Sequence, residues 1–395
     1  MSRIIALLLA VAAAAALWFA PQTTYQSAAQ EILNPYAASI VEQEGKLRER
    51  LSDANRQLYD VVKQGLYDHE QEISVRRVGY TEEDIWQTLY AVNYDSPQLF
   101  WVSFQTLSFR DTDDGFAIVP TYSFTAEGME KALPEYEAAA DAALAALDAK
   151  NYTDPIDKLL FLHDYLIETV RYDESLEEGA IHTAYGALVN KVAVCDGYAR
   201  AYHDLCLRAG LSCYYDEGSV KSDNDVTGHA WNIVESGGKY YYVDVTWDDG
   251  DYEYKDNAPA YPVVSHAYFL VGEDALRATH TSDGRFEMPA CEDFNYFKAA
   301  GLSAARFDNV EADAVETLFT NITDRGRYYV EFEITDPDEF DKVVGSYEYA
   351  VGGLIEAVNK KLDKTDAAKI NEYGTVNFSY LKEKGDILAM FTPES

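Results

Sequence analysis

Cys195 is the residue best suited to nucleophilic chemistry in this chain of 395 residues. It lies in the segment KVAVCDGYARAYHDLCLRAG, where a short apolar run meets a helix that ends at Gly210. The positive end of a helix dipole favours a thiolate, which is the reactive form of cysteine. Free N–H groups in the first helical turn can also stabilise an oxyanion. Taken by itself, a cysteine in such a position is more often a buried and inert thiol.

His229 and Asp244 lie in a segment, HAWNIVESGGKYYYVDVTW, whose pattern predicts a β-hairpin. Gly237-Gly238 is a favoured two-residue loop for such a hairpin. With this loop, His229 pairs with Thr246 and Trp231 pairs with Asp244. His229 and Asp244 would then be diagonal neighbours on one face of the ladder.

Cys195, His229 and Asp244 together are the residue types of a nucleophile, a base and a group that orients the base. Diagonal neighbours lie about 7–8 Å apart at the backbone, which lets the Nδ1–H of His229 reach the Asp244 carboxylate. The other ring nitrogen is then free to take the Cys195 proton. A register shift of one residue would move Asp244 to the opposite face. Our hypothesis is a Cys195–His229–Asp244 triad.

Two aromatic residues are candidates for contacts with a substrate. On the predicted register, Trp231 shares the face of His229 and would shield a thioester from water, whereas Trp247 is expected to pack on the other side. Tyr185, in HTAYGAL ahead of Cys195, is a candidate for the wall of an acyl pocket, although a position in the core is favoured. Three further histidines are predicted to be packing or surface residues: His163, His182 and His203.

The motifs VCDGYARAY, GHAWNIV and YYYVDVTWDD resemble the three core motifs of the transglutaminase-like superfamily. They agree with that family in residue type, in the order Cys, His, Asp and in approximate spacing. By position, Cys195, His229 and Asp244 match the family triad, and the resemblance covers roughly residues 150–270. The segment SPQLFWVSF ahead of the core is similar to secreted bacterial proteins with such cores.

This resemblance implies an α+β fold with a papain-like core, in which a helix bearing Cys packs on an antiparallel sheet bearing His and Asp. It also implies acyl transfer from a glutamine side chain to an amine, or hydrolysis of amide bonds in proteins or cell-wall peptides. Transfer and hydrolysis both stay open, because the choice depends on pocket access and water exclusion. A non-catalytic cell-surface scaffold that retains the core is the alternative from another class of protein.

The sequence favours chemistry without a cofactor or a metal. It contains no Walker loop, no strand-borne GxGxxG and no HExxH, and its four cysteines have no zinc-ligand spacing. A bridge between Cys206 and Cys213 remains an alternative to free thiols. The run Asp248-Asp249-Gly250-Asp251 offers carboxylates, and some transglutaminases use calcium. Because the run lacks the spacing of an EF-hand loop, an ordinary acidic turn is favoured.

The net charge of −36 makes nucleic acid a poor partner. The resemblance implies a protein or peptide substrate, with cell-wall material as one class. The chain starts with MSRIIALLLAVAAAAALWFAP, which places one Arg ahead of an apolar run over residues 4–20. This is the layout of an export signal or of a single N-terminal anchor, and both remain open. We therefore expect an exported protein, extracellular or at the cell surface, that meets the membrane only through its N-terminal segment.

The succession of helical and strand patterns predicts four regions. They are a signal or anchor over 1–25, a helical arm with a small α+β unit over 26–126, the catalytic core over 127–292 and a small α+β domain over 293–395. In the second region we predict a helix over 28–67, a helix that begins with a capping box at Thr81, and strands over 100–104 and 117–124.

The remaining elements follow from helical periodicity, capping residues and alternation. In the core we predict a helix over 127–150 and a second that begins at Asp154-Pro155. In the last region we predict helices over 312–319 and 338–362 and strands over 329–334, 375–380 and 387–391. This last region carries no catalytic signal.

Overall fold

The computed structural model describes residues 45–394, except 77–78, 176–178, 223–224, 250–260, 346, 375 and 383. The predicted N-terminal signal or anchor lies outside the described residues. Among the helices of the described part, none is long and apolar enough to cross a membrane.

The first described region combines two helices with a small sheet. Ser52 caps the first helix by accepting a hydrogen bond from Asn55 N–H, and Thr81 and Asp84 form the predicted capping box of the second. The strands are antiparallel in the order β1-β3-β2. The elements are α1 (Asp53–Tyr67), β1 (Ile73–Arg76), α2 (Glu82–Asp95), β2 (Ser108–Thr112) and β3 (Gly115–Val119).

Three boundaries in this region differ from the predictions. The helix predicted over 28–67 begins at Asp53 in the described residues, after a 3₁₀ turn at Arg48–Arg50. The strand predicted over 117–124 is the shorter β3. The strand predicted over 100–104 is wrong, because Trp101 lies in a turn and its Nε1–H donates to the Leu66 carbonyl at 3.1 Å. A continuous apolar run does not distinguish a buried strand from a buried turn.

The central region is an antiparallel sheet of five strands with helices packed against it. The order of strands is β10-β6-β7-β8-β9. Its strands are β6 (Cys213–Ser222), β7 (Asp225–Ser236), β8 (Lys239–Val243), β9 (Phe269–Val271) and β10 (His280–Ser282). Its helices are α3 (Ala126–Asp148), α4 (Pro155–Thr169), α5 (Cys195–Arg208) and the short α6 (Glu273–Arg277).

Short elements connect these helices to the sheet. Strands β4 (Arg171–Tyr172) and β5 (Val192–Ala193) pair in parallel beside a 3₁₀ turn at Gly179–His182 and a π-helical turn at Gly186–Asn190. The Asp154 side chain caps α4, as predicted, and α3 continues through Pro134 without a break.

The helix that begins at Cys195 packs on this antiparallel sheet. The buried Asn232 of β7 donates through Nδ2 to the Ala199 carbonyl of α5 at 3.0 Å and to the Tyr214 carbonyl of β6 at 3.1 Å. One side chain thereby fixes the helix against two strands. The α+β class and the arrangement of helix on antiparallel sheet are confirmed.

The last region has its own sheet, in the order β11-β12-β14-β13. Strand 329–334 is confirmed, and the helix predicted over 338–362 is two helices. The elements are α7 (Tyr296–Ala299), β11 (Ser303–Ala304), a 3₁₀ turn (Phe307–Asn309), α8 (Glu311–Arg325), β12 (Tyr329–Ile334), α9 (Pro337–Gly345), α10 (Tyr347–Leu362), β13 (Asn377–Leu381) and β14 (Asp386–Met390).

The buried hydrophobic side chains form two main clusters. One runs from Leu47 to Phe286 and includes both the first and the central regions. The other runs from Phe297 to Phe391 and belongs to the last region. The first region therefore shares a core with the sheet that carries His229, whereas the last region has a core of its own.

Candidate active site

Cys195 is the first residue of α5, at the helix N-terminus that the sequence predicts, and its side chain is partly exposed. The preceding residue, Val194, donates its N–H to the Ile181 carbonyl at 3.1 Å. A Cβ on Gly197 would lie 2.5 Å from that carbonyl oxygen, so glycine is needed for the close contact. The start of α5 is thus held against the 3₁₀ turn at Gly179–His182, which fixes the position of the thiol.

His229 lies on β7 and is buried, with 8% of its surface exposed. Its Nε2 lies 2.7 Å from Asp244 Oδ2, and its ring is within hydrogen-bonding reach of the Cys195 thiol. Because Nε2 is engaged by the carboxylate, Nδ1 is the nitrogen left for the thiol. The sequence prediction assigned the two nitrogens in the opposite sense, and that part is wrong.

Asp244 lies one residue beyond the end of β8. The hairpin register is confirmed, since Asn232 pairs with Val243, but the ladder stops there. The predicted pairings of Trp231 with Asp244 and of His229 with Thr246 therefore do not form.

A turn holds the Asp244 carboxylate in place. Its Oδ1 accepts hydrogen bonds from the N–H groups of Thr246 at 3.0 Å and Trp247 at 3.1 Å. This leaves Oδ2 directed toward His229. The orientation of the base therefore depends on a turn and not on a cross-strand pair.

His280 is a site residue that the sequence analysis missed. Its Nε2 lies 2.9 Å from Asp244 Oδ2, the same oxygen that binds His229, and its Nδ1 lies 2.8 Å from Thr279 Oγ1. It reaches the site because β10 pairs with the far edge of β6. No motif or spacing in the sequence indicates a contact between residues so far apart along the chain.

The charges of the three buried groups are coupled. Burial by itself lowers the pKa of His229, but the negative charge of Asp244, its hydrogen bond and the neighbouring Cys195 outweigh burial and raise this pKa to about 10. Burial opposes ionisation of Asp244, yet His229 and His280 hold its pKa below the usual range. Burial lowers the pKa of His280. The site therefore favours a protonated His229, an ionised Asp244 and a neutral His280.

Two tryptophans enclose the histidine rings. The buried Trp231 stacks beside His229 with ring centroids 6.2 Å apart. The ring centroid of Trp247 lies 5.8 Å from that of His229 and 4.6 Å from that of His280. The prediction that Trp247 packs on the other side is wrong, because the chain turns after Val243 and brings it back over the site.

Tyr185 occupies the core position that the sequence favoured. Its ring stacks on Phe100 at 4.9 Å and its hydroxyl donates to Glu135 at 2.9 Å. The contacts described for Tyr185 thus anchor the π-helical turn and do not bring its side chain to the triad.

A cavity of about 420 Å³ opens beside the start of α5. Asp196, the residue after the nucleophile, lines it together with Arg200. Aromatic side chains of the first region also line it, among them Trp86, Tyr90 and Phe104.

The acidic run after the hairpin is part of the core where it is described. Asp248 and Asp249 are buried, and they accept hydrogen bonds from Tyr268 N–H and the Tyr198 hydroxyl. Gly250 and Asp251 lie outside the described residues. Calcium at this run stays an untested hypothesis.

The other histidines and cysteines considered in the sequence analysis are mostly buried. His203 is buried and His182 is partly exposed, whereas His163 is buried between two carboxylates. Cys206 and Cys213 are buried free thiols and form no bridge.

Comparison with known proteins finds a family model that matches part of the central region. Residues 142–245 match the model of the transglutaminase-like superfamily. A stretch of 64 residues is 38% identical to kyphoscoliosis peptidase of Homo sapiens, and the mouse protein gives the same values. This match covers 14% of the chain and only 10% of the length of each relative.

Two solved structures are also similar in part. The crystal structure of a TGase aligns at 12% identity and a TM-score of 0.27, over 44% of this chain and 59% of that one. A Cytophaga hutchinsonii protein, provisionally assigned as a cysteine protease, aligns at 14% identity and a TM-score of 0.26, over 48% of this chain and 79% of that one.

Proposed function

We propose that the chain is a cysteine enzyme that acts on amide bonds through a thioester, because residues 142–245 match the model of the transglutaminase-like superfamily. The observation that carries the proposal is the contact of His229 Nε2 with Asp244 Oδ2 at 2.7 Å, with Cys195 in reach of the same ring. A nucleophile, a base and an orienting carboxylate are what acyl transfer requires.

The first half-reaction forms the thioester. The high pKa of His229 favours transfer of the Cys195 proton to Nδ1, which leaves a thiolate beside an imidazolium. The thiolate attacks the carbonyl carbon of an amide, and N–H groups of the first turn of α5 stabilise the oxyanion. Collapse of the tetrahedral intermediate breaks the C–N bond, and His229 returns its proton to the leaving amine.

The second half-reaction resolves the thioester. His229 removes a proton from an incoming amine or water, which attacks the acyl carbon and releases the Cys195 thiolate. An amine gives protein crosslinking or amine incorporation, whereas water gives hydrolysis of a protein or cell-wall peptide. The buried Trp231 and the adjacent Trp247 limit the water around His229, but either acceptor is consistent with this scheme. No step requires calcium or another cofactor.

The proposed acyl-donor site is the cavity beside Asp196. An extended polypeptide laid across it would place a side-chain or main-chain amide near the start of α5. Phe104 and Trp86 would contact apolar parts of the substrate, and Arg200 would contact its polar groups. The substrate is therefore proposed to be a protein or peptide.

The proposed location is outside the cytoplasm or at the cell surface. Its support is the apolar run over residues 4–20 that follows a single Arg. Protease added to intact cells should digest the full chain if this is right, whereas protection until lysis would contradict export.

The test of activity compares the full chain with its Cys195→Ala variant. Incorporation of a labelled amine, release of ammonia and cleavage are each measured on a glutamine-rich protein and on wall peptides. Cys291→Ala, which removes another partly exposed thiol, is the matched control and should retain activity.

The outcomes of this comparison separate the proposals. Incorporation that depends on Cys195 identifies a transferase, and ammonia release or cleavage alone identifies a hydrolase. Equal silence of wild type and variant on all substrates would contradict an enzyme and favour the non-catalytic scaffold.

A further inference from the structure

A second cluster of histidine and carboxylate groups lies away from the triad. His163 and Asp164 are consecutive residues of α4, and His266 precedes β9. Asp164 Oδ1 lies 3.0 Å from His163 Nδ1 and 3.2 Å from His266 Nε2. The side chain of His163 is fully buried, and those of Asp164 and His266 are 19% and 12% exposed. One carboxylate oxygen and two imidazole nitrogens therefore lie close together at a position that is largely shielded from solvent.

The outer nitrogen of each ring is held by another carboxylate. His163 Nε2 lies 3.1 Å from Asp248 Oδ2, and His266 Nδ1 lies 2.9 Å from Glu331 Oε2. Metal-bound histidines almost always donate their outer N–H in this manner, which fixes the tautomer and turns the inner nitrogen toward the ion. Both rings of the cluster have this support.

We propose that His163 Nδ1, Asp164 Oδ1 and His266 Nε2 bind a divalent transition-metal ion of the Zn²⁺ type. Ligand atoms about 2.0–2.1 Å from a Zn²⁺ ion lie roughly 3.0–3.4 Å from one another, and the two separations above have this size. Three protein ligands leave a fourth position for water.

The donor set selects the class of ion. Two imidazole nitrogens suit Zn²⁺ and its neighbours, whereas Ca²⁺ and Mg²⁺ prefer oxygen ligands.

The ion would connect three parts of the chain. Its ligands come from α4 and from the segment before β9, and Glu331 supports it from β12 of the last region. Asp248 supports it from the turn that begins at Asp244, where Asp248 N–H donates to the Asp244 carbonyl at 3.3 Å. This role is structural and does not depend on the proposed enzymatic activity.

Sequence spacing predicted no metal site because His266 lies more than a hundred residues beyond Asp164. The usual zinc patterns place at least two pairs of ligands close together along the chain. Here only His163 and Asp164 are neighbours, and the fold supplies the third ligand.

The test measures binding of Zn²⁺ and Co²⁺ to the full chain after treatment with a chelator. All proteins carry Cys195→Ala, so that no ion binds the thiolate beside His229. We expect one ion bound through His163, Asp164 and His266, nitrogen-ligand signals in the Co²⁺ spectrum, and a thermal midpoint that rises with Zn²⁺.

Variants then assign the site. His266→Asn should abolish this binding and the rise in thermal midpoint, and Glu331→Gln should weaken the affinity about 10–100-fold while keeping the ligands. His182→Asn, which removes a partly exposed histidine, is the control and should bind as the parent does.

Two results would overturn the proposal. One is a parent protein that stays folded by circular dichroism but binds neither ion. The other is binding that survives His266→Asn and Glu331→Gln but disappears in His280→Asn, since the ion would then belong to the cluster of His229, Asp244 and His280.

Discussion

His229 meets Asp244 through Nε2, at 2.7 Å from Oδ2. The ring is thereby turned so that Nδ1 is available to the thiol at the start of α5. The carboxylate itself is held by two backbone N–H groups of the turn that follows β8. The geometry of the base thus depends on how the chain ends a strand.

The first prediction concerns Asp244→Asn. An amide cannot stabilise the imidazolium as a carboxylate does, so we expect kcat/KM to fall by at least about 10²-fold. The pKa of His229, about 10 in the parent, should move down toward its ordinary 6.5. Because His229 must hold a proton in the ion pair, activity in the parent should persist until the pH approaches 10, and the variant should lose it at lower pH. If the basic limb of the pH profile, where activity falls at high pH, lay at the same pH in both proteins, the prediction would be contradicted.

The second prediction concerns His280, which we regard as a positioning residue. His280→Leu removes the donor 2.9 Å from Asp244 Oδ2, so kcat should fall about fivefold, the effect of one hydrogen bond of roughly 1 kcal/mol. Without this donor, Asp244 binds the His229 proton more strongly, and the basic limb of the pH profile should move upward. His280→Gln, which keeps an N–H donor, should restore much of the rate. Equal effects of Leu and Gln would indicate a packing role instead.

The third prediction concerns the contact that positions Cys195. Gly197→Ala places a Cβ 2.5 Å from the Ile181 carbonyl oxygen, so the start of α5 must move. We expect a loss of about 1–3 kcal/mol in the free energy of unfolding, together with lower activity. Gly352→Ala is the matched control, because no atom lies within 4 Å of its added Cβ in α10. This control should stabilise the protein by roughly 0.5–1 kcal/mol in the same urea titration; equal effects of both substitutions would contradict the account.

The fourth prediction concerns the cavity beside Asp196. Phe104→Ala removes an apolar part of its wall, so KM for a peptide substrate should rise several-fold while kcat changes little. Tyr373→Ala is the control, since Tyr373 is 96% exposed. If Phe104→Ala left KM unchanged, the substrate would have to bind elsewhere.

The features that could be predicted from the sequence depend on local pattern. The hairpin loop at Gly237-Gly238 fixes the pairing of Asn232 with Val243, and the apolar run before Cys195 marks the start of a helix. Capping at Thr81 has the same local origin. Family resemblance added the roles of the three triad positions.

The features that could not be predicted depend on contacts between distant segments. The pairing of the strands stops at Val243, and the turn that follows brings Trp247 back over the site. Neither feature has a periodic signal in the sequence, because the conformation of a turn depends on the residues that pack against it. His280 enters the site through a strand that pairs at the edge of the sheet. His266 meets Asp164 although about a hundred residues separate them along the chain.

The most direct test of the central claim is the rate of alkylation of Cys195 by iodoacetamide near neutral pH, followed by mass spectrometry. Cys291 is the internal control, since it is also partly exposed and burial raises its pKa to about 12. We predict that Cys195 reacts at least about tenfold faster than Cys291, and that His229→Ala slows the reaction of Cys195 by about tenfold or more while leaving the rate of Cys291 unchanged. Equal rates for the two thiols, or a fast Cys195 that is unaffected by His229→Ala, would contradict the assignment of Cys195 and His229 as nucleophile and base.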